Sequence, residues 1–346
     1  LRKAFNKVKF KKIELISKTL SEIKKRKFII DENTCSIYYE NIISKNNKLL
    51  GYQDPIYQLK AIKNEGEIKN IKAAHIYDGA ALTKFLFWIK KNFTKRKITE
   101  ISASEKLYYF RKKNKKFKFL SFPTISGSGP NGAIIHYKAT EKTNRRLKRG
   151  DIYLVDSGGQ YEFGTTDVTR TISLRNSNNR IKNIFTRVLK GHIAVADFQL
   201  KKDTTGSNID NKARKYLNQI GLDYEHGTGH GVGYFLNVHE GPQAISKNNN
   251  VKFQEGMIVS NEPGYYEKNK FGIRIENLVY VKKERKKKHF ENLTMAPIDK
   301  DLIDQKILNK SEKNWLNSYH KKVFYNLKDA MNKTELSELK KACSAI

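Results

Sequence analysis

Apolar and polar positions along this chain follow two rhythms. Between residues 11 and 27, Ile13, Ile16, Leu20 and Ile23 recur at helical spacing, which predicts a helix. Phe28, Ile29 and Ile30 follow without a break and read as a short buried strand. Asp54-Pro55 marks a turn or linker. Asn64 and Glu67 resemble a capping box, with Asn in place of Ser or Thr. After that box, Ile68, Ile71, His75, Leu82, Phe85, Leu86 and Ile89 fall on one helical face, so a long helix is expected and His75 belongs to its face rather than to a ligand set.

From about Phe122 the texture changes. Gly127, Gly129 and Gly132 cluster, and short β-like runs follow at Ala133 to Tyr137, Ile152 to Val155 and Val168 to Leu174. Helical spacing returns with Ile181, Ile184, Phe185, Val188, Leu189 and Ile193, then with Ile209, Ala213, Tyr216, Leu217 and Ile220, where Gly221 is a stop signal. Gly-rich and β-like segments run from His226 to Val281, and the tail from Ser311 is expected to be helical. There is no internal repeat.

Composition narrows the function classes. At 346 residues and 38% hydrophobic the chain can still bury a sizeable core, and a prior of roughly 150 residues per domain suggests about two domains. No stretch approaches the roughly 18 unbroken apolar residues of a membrane span, so no membrane partner is expected. Cys35 and Cys343 are too few and too distant for a disulfide framework or a thiolate metal site, which suggests a reducing compartment. Leu1 opens the chain and no apolar leader follows, so no signal peptide is expected and the N-terminus is expected to be incomplete. Lys and Arg number 68 against 35 Asp and Glu, a net charge of +33. The basic stretches include Lys24 to Lys27, Arg111 to Lys118, Arg145 to Arg149, and Lys282, Lys283 and Arg285 to Lys288. They lack the aromatic interleaving of a single-strand platform and match no common nucleic-acid module, so they read as a solvated surface with no specific nucleic-acid partner.

The chemistry lies in the β-like half. Asp156 closes the run Ile152-Tyr153-Leu154-Val155, and Asp167 follows eleven residues later. Two strands joined by a loop bring such carboxylates to one site. His230 sits in His226-Gly227-Thr228-Gly229-His230-Gly231-Val232-Gly233, Glu262 in Asn261-Glu262-Pro263-Gly264, and Glu276 in Arg274-Ile275-Glu276-Asn277. The glycines around His226 and His230 argue against the helix of a zincin motif and suggest backbone passing close to a ligand. Four carboxylates and one imidazole suit a pair of divalent ions of the Mn, Co, Zn or Fe class, with oxygen donors favouring Mn. Two such ions about 3.5–4 Å apart activate a water and polarise a carbonyl, the equipment for hydrolysing an amide.

These segments resemble the pita-bread metallopeptidases and, within them, the long subfamily of Xaa-Pro aminopeptidases (aminopeptidase P). The likeness runs from about Ile62 to Ile298 and weakens towards both ends. Its diagnostic pieces are Lys60 to Asn64, Gly132 to Tyr137, Val155 to Tyr161, His226 to Gly233, Asn237 to Pro242 and Phe290 to Ile298. The resemblance implies that Asp156 chelates one metal, that Asp167 and Glu276 bridge both, and that His230 and Glu262 complete the other site, with Glu262 also taking a proton from the attacking water. It implies that His136 and His239 contact the scissile group, that His226 lines the proline side of the pocket, and that Arg274 lies beside the metal cluster. The competing reading of each histidine is a buried, hydrogen-bonded side chain, and of Arg274 a surface or strand-end charge.

The implied fold is α/β (α+β): a pita-bread catalytic domain with a curved antiparallel sheet and outer helices, preceded by a remnant of a creatinase-like domain. Residues 1–58 are expected to be the end of that preceding domain, 59–289 the metallopeptidase domain, and 290–346 the subfamily's C-terminal extension. Most of the N-terminal domains found in the long subfamily are expected to be missing. The implied activity is metal-dependent hydrolysis of the Xaa-Pro bond in peptides with proline second. Two divalent ions are the cofactors, manganese first and cobalt or zinc next. The enzyme is expected to be cytoplasmic, and a homodimer in its full-length form. The alternatives are an Xaa-Pro dipeptidase (prolidase) and a non-catalytic pita-bread binding module.

Overall fold

The computed structural model describes residues 8–175, 177–285 and 287–346. Residues 1–7 of the expected remnant and Lys286 of the last basic run lie outside them. The chain divides into two compact units, Leu1–Leu59 and Lys60–Ile346.

In the first unit, helix α1 (Ile16–Glu22), strand β1 (Lys27–Ile30), helix α2 (Ile37–Ser44) and strand β2 (Lys48–Gly51) follow in order. The strands pair in parallel, Phe28 opposite Leu49, with α2 as the crossover between them. Among the described residues of this unit, Ile30 and Ile43 are the buried apolar side chains. The expected helix over 11–27 is therefore shorter, ending at Glu22, and the run Phe28 to Ile30 is not a buried strand: Ile29 is 60% exposed because a two-stranded sheet covers one face only.

Helix α3 (Pro55–Ala61) leads to α4 (Glu65–Asn92) and α5 (Glu100–Lys112). The Asn64 box forms as expected: its side chain accepts from the Glu67 N–H at 3.0 Å, and Glu67 accepts from the Asn64 N–H at 2.9 Å. On α4, Ile71, His75, Leu82, Phe85, Leu86 and Ile89 are buried, while Ile68 is half-buried. His75 bonds back to the Ile71 carbonyl at 2.8 Å. Arg111 departs from the expected basic surface. It is fully buried, because its guanidinium grips both oxygens of Asp78 on α4, at 2.7 and 3.1 Å.

Strands β3 (Phe117–Leu120), β4 (Ile125–Ser128), β5 (Ile152–Ser157), β6 (Gly159–Tyr161), β7 (Gly164–Thr165) and β8 (Val168–Ser173) come next. Then α6 (Asn179–Ala196), β9 (Gln199–Leu200), α7 (Gly206–Asn218), β10 (Gly229–His230), β11 (Ala244–Ile245), β12 (Ile258–Asn261), β13 (Gly264–Glu267), β14 (Phe271–Arg274), β15 (Asn277–Glu284) and β16 (Lys287–Asn292) follow, and α8 (Lys310–Leu327) and α9 (Lys333–Ala342) end the chain. Every strand pairing in this unit is antiparallel among the described residues, in the orders β4-β5-β8, β3-β6-β7, β12-β15-β16-β9, β13-β14 and β10-β11. The Ala133 to Tyr137 run is not a strand. Gly129, at φ +55°, turns the chain into a 3-10 segment over Gly129–Ala133.

Helices cover the strands on the outside. α4 and α5 pack Leu82, Phe85, Ile89 and Leu107 against Tyr153, Val155, Val168 and Ile172 of β5 and β8. α6 packs Phe185, Val188 and Leu189 with Phe271 and Ile273 of β14 and with Leu316, Tyr319 and Val323 of α8. The strand faces turned away from these helices carry the polar residues described next.

Candidate active site

The sheet pairings bring distant carboxylates together. In the β5–β8 ladder Asp156 lies opposite Thr169, and Asp167 sits just ahead of β8. In the β12–β15 ladder Asn261 pairs with Asn277, so Glu262 leaves the end of one strand beside Glu276, which enters the other. The Glu276 N–H donates to the Thr169 carbonyl at 3.2 Å, joining the two ladders. His230 arrives on β10, whose neighbour Gly231 bridges to Val259 of β12. The Glu262 N–H holds the Thr228 carbonyl at 2.8 Å.

All nine sequence-predicted residues line one pocket of about 520 Å³: Asp156, Asp167, His230, Glu262, Glu276, His136, His226, His239 and Arg274. Asp167, His230 and Glu276 form its tightest group, offering ligand atoms within 4.8 Å of one another. Glu262 Oε1 is 3.4 Å from His230 Nε2, and Asp167 Oδ2 is 3.5 Å from it. Asp156 stands at the side, one oxygen held by Arg274 at 2.7 Å and the other buried without a hydrogen-bond partner. Arg274 is 2% exposed, so it is no surface charge. The rings of His230 and His239 lie 3.9 Å apart. His136 and His239 are exposed to the pocket, not buried as the competing reading had them. His226 is half-buried and bonds to the Tyr266 hydroxyl at 2.8 Å.

Electrostatics register the crowding. Burial, reinforced by Asp156 and Glu262, pushes Asp167 up to about 7 despite its contact with His230. Burial and the charges of Asp167, Glu262 and Asp156 push Glu276 well above the usual carboxylate range. Asp156 is raised by burial, with Arg274 pulling the other way. Burial alone would push His230 down, but Asp167 and Glu262 hold it up at about 9. Packing this much negative potential into a buried pocket is costly unless cations share it. The all-oxygen-and-imidazole donor set and the orphaned Asp156 oxygen therefore fit divalent metal ions.

Three supporting side chains were not singled out in the sequence. The Thr169 hydroxyl donates to Glu276 at 2.7 Å, and the Ser260 hydroxyl donates to Glu262 at 2.9 Å. The Tyr266 hydroxyl, pushed up to about 12 by burial, joins His226 to Arg274. Tyr266 lies four residues after Glu262 along the chain. Thr169 becomes visible only once the strands are placed, whereas Ser260 stands two residues before Glu262 along the chain.

The glycines around His230 also differ from expectation. A Cβ on Gly229 would lie 1.9 Å from the Ser260 carbonyl oxygen, and one on Gly231 would lie 2.1 Å from that of Glu240. The close approach at these two glycines is to the chain's own backbone.

Antiparallel ladders carrying four carboxylates and a histidine into one pocket define a metallopeptidase fold. The chain belongs to metallopeptidase family M24: that family's model matches residues 69–283, and the model of its C-terminal region matches 288–346. The architecture is the expected pita-bread fold. Among curated relatives, the probable Xaa-Pro aminopeptidase P of Laccaria bicolor is 45% identical, over 90% of this chain and 50% of that protein. Aminopeptidase P2 of Arabidopsis thaliana is 47% identical, over 79% of this chain and 40% of that protein. The X-prolyl aminopeptidase of Caenorhabditis elegans, described as a cytosolic enzyme with a di-nuclear active site, superposes with a TM-score of 0.91 at 34% identity, covering all of this chain and 60% of that one. This chain thus spans about half the length of the curated relatives it matches.

Proposed function

We propose that this chain is the catalytic part of a metal-dependent aminopeptidase that releases the N-terminal residue of peptides with proline second. The observation that carries the reading is the convergence of all nine predicted residues on one pocket. Asp156, Asp167, His230, Glu262 and Glu276 would hold two divalent ions, manganese by preference. When bound, the ions supply an activated water and Lewis-acid polarisation of the scissile carbonyl. Glu262, steadied by Ser260, takes the proton of the attacking water. His136 and His239 face the pocket where they can hold the scissile group. His226, anchored by Tyr266, shares the pocket lining with Phe122, Pro123 and Val238, apolar side chains suited to a proline ring. An Xaa-Pro bond is a tertiary amide on a rigid ring, so a dedicated lining is chemically reasonable.

In this reading residues 1–58 end a preceding creatinase-like domain, 59–289 form the metallopeptidase domain and 290–346 its C-terminal extension. The full-length protein is a homodimer in the cytoplasm, acting on peptides and on no specific nucleic acid. The cytosolic description of the Caenorhabditis elegans protein supports that location. No helix among the described residues is long and apolar enough to cross a membrane. The test is hydrolysis by the purified chain, with and without manganese, of an Xaa-Pro-Xaa tripeptide, an Xaa-Pro dipeptide and a proline-free tripeptide. Manganese-dependent release of the first residue from the proline tripeptide is expected. Cleavage of the dipeptide alone would make it a prolidase, and metal binding without cleavage would make it a binding module.

A further inference from the structure

Arg170 on β8 is 1% exposed, yet every acceptor of its guanidinium is a neutral oxygen. A buried cation without an anionic partner is expensive to keep. Its bonds show what it does. Nη1 donates to the Glu276 carbonyl at 2.7 Å and to the Thr169 carbonyl at 2.9 Å. Nη2 donates to Asn277 Oδ1 and the Ala296 carbonyl at 2.8 Å, and to the Tyr319 hydroxyl at 2.9 Å. Nε donates to the Pro297 carbonyl at 3.1 Å. One side of the guanidinium therefore grips the backbone of Glu276. The other grips Ala296, Pro297 and Tyr319, all within the C-terminal region that begins at residue 288.

Glu276 is held from the same strand at two further points. The Thr169 hydroxyl donates to its carboxylate, and its N–H donates to the Thr169 carbonyl. Its main-chain carbonyl is the remaining backbone handle, and Arg170 takes it. Tyr319 is itself fixed: its ring stacks on Trp315 at 5.5 Å with 6° between planes, and its hydroxyl reaches the Ala296 carbonyl at 2.7 Å.

We propose that the C-terminal region is a working part of the metal centre: through Tyr319 and Arg170 it sets the position of Glu276 and of the strand that follows Asp167. Arg170 and Tyr319 are positioning residues, and the proposal rests on Glu276 and Asp167 being metal ligands. Partners that orient metal ligands typically change metal affinity 10–100-fold when removed.

The test titrates Mn²⁺ calorimetrically into the metal-free full chain, and compares wild type with Tyr319→Phe, Arg170→Met and Val323→Ala. Tyr319→Phe keeps the ring stack and removes only the hydroxyl. Val323→Ala removes buried packing on the same helix without touching Arg170. Expected are affinities about tenfold weaker for Tyr319→Phe and weaker again for Arg170→Met, with Val323→Ala lowering the melting temperature of the metal-free chain but binding Mn²⁺ as wild type does. If Arg170→Met does not fold, Tyr319→Phe decides. Wild-type Mn²⁺ affinity in Tyr319→Phe, whatever its melting temperature, would overturn the proposal and leave the two-metal reading intact. A wild type that binds no Mn²⁺ would overturn both.

Discussion

Glu262 has two partners with different consequences: Ser260 donates to its Oε1, and His230 lies 3.4 Å from the same oxygen. Glu262→Gln keeps the shape of the side chain but removes the charge and the ability to accept a proton. The expected loss in kcat is about 10²–10⁴-fold, the usual worth of a general base, with weaker metal binding added. A variant retaining more than a tenth of wild-type kcat would move the base elsewhere. A different kind of histidine sits far along the chain. His320 is buried, its Nε2 accepts the Ile298 N–H at 3.1 Å, and burial pushes its pKa from 6.5 down to about 3. The folded chain therefore keeps it neutral while the unfolded chain protonates below 6.5, so its contribution to stability is full above 6.5 and is lost as pH falls towards 3. His320→Gln retains an acceptor and removes the titration. Stability measured by urea unfolding should then fall less steeply with acid, by up to about 1.4 kcal/mol per pH unit across that window. Identical pH profiles would show that His320 does not carry this acid sensitivity.

Among elements, β10 is one of the shortest, yet it carries His230. It spans two residues and depends on Gly229 lying flat against β12. Gly229→Ala would press a methyl group onto the Ser260 carbonyl, and overpacking of this kind costs about 1–3 kcal/mol. The expected result is a lower melting temperature together with loss of activity, because His230 is the next residue. Unchanged stability with full activity would mean that the two strands separate freely. The elements differ in how openly the sequence declared them. α4 was legible because its cap and its face both lie within the helix, and α6 because six apolar residues repeat at one spacing. β5 was legible as an apolar run and β8 as a β-like one, and with them Asp156 and Asp167 at their ends. The run Ala133 to Tyr137 was misleading, since its apolar composition resembles a strand whatever the φ of the glycine upstream. Arg111 was misread because its partner Asp78 lies 33 residues away on another helix. Thr169 and Arg170 were invisible for the same reason: both act on Glu276, more than 100 residues away along the chain, where no local spacing reaches.

At the scale of the whole molecule, the residues behind the +33 charge are scattered along the sequence, and several are paired or buried. Arg111 is withdrawn into the interior, Lys116 and Lys118 both meet Glu162, and Lys282 meets Glu284 and Glu291. Titration with duplex and single-stranded oligonucleotides should give weak binding without sequence preference that fades steeply as salt rises. Nanomolar, sequence-selective affinity near physiological salt would revive the binding-module reading. The first unit has a consequence of its own. A two-stranded sheet in a unit whose buried apolar side chains, among the described residues, are Ile30 on β1 and Ile43 on α2 has little to resist local opening. Amide hydrogen exchange should therefore be graded along the chain. Protons on β1 and β2 should be lost to deuterium early, while those of β5 and β8, buried along their whole length, should persist orders of magnitude longer. Uniform protection would contradict this. A graded pattern would mean that the chain breathes at its leading edge while the strands bearing Asp156 and Asp167 stay shut.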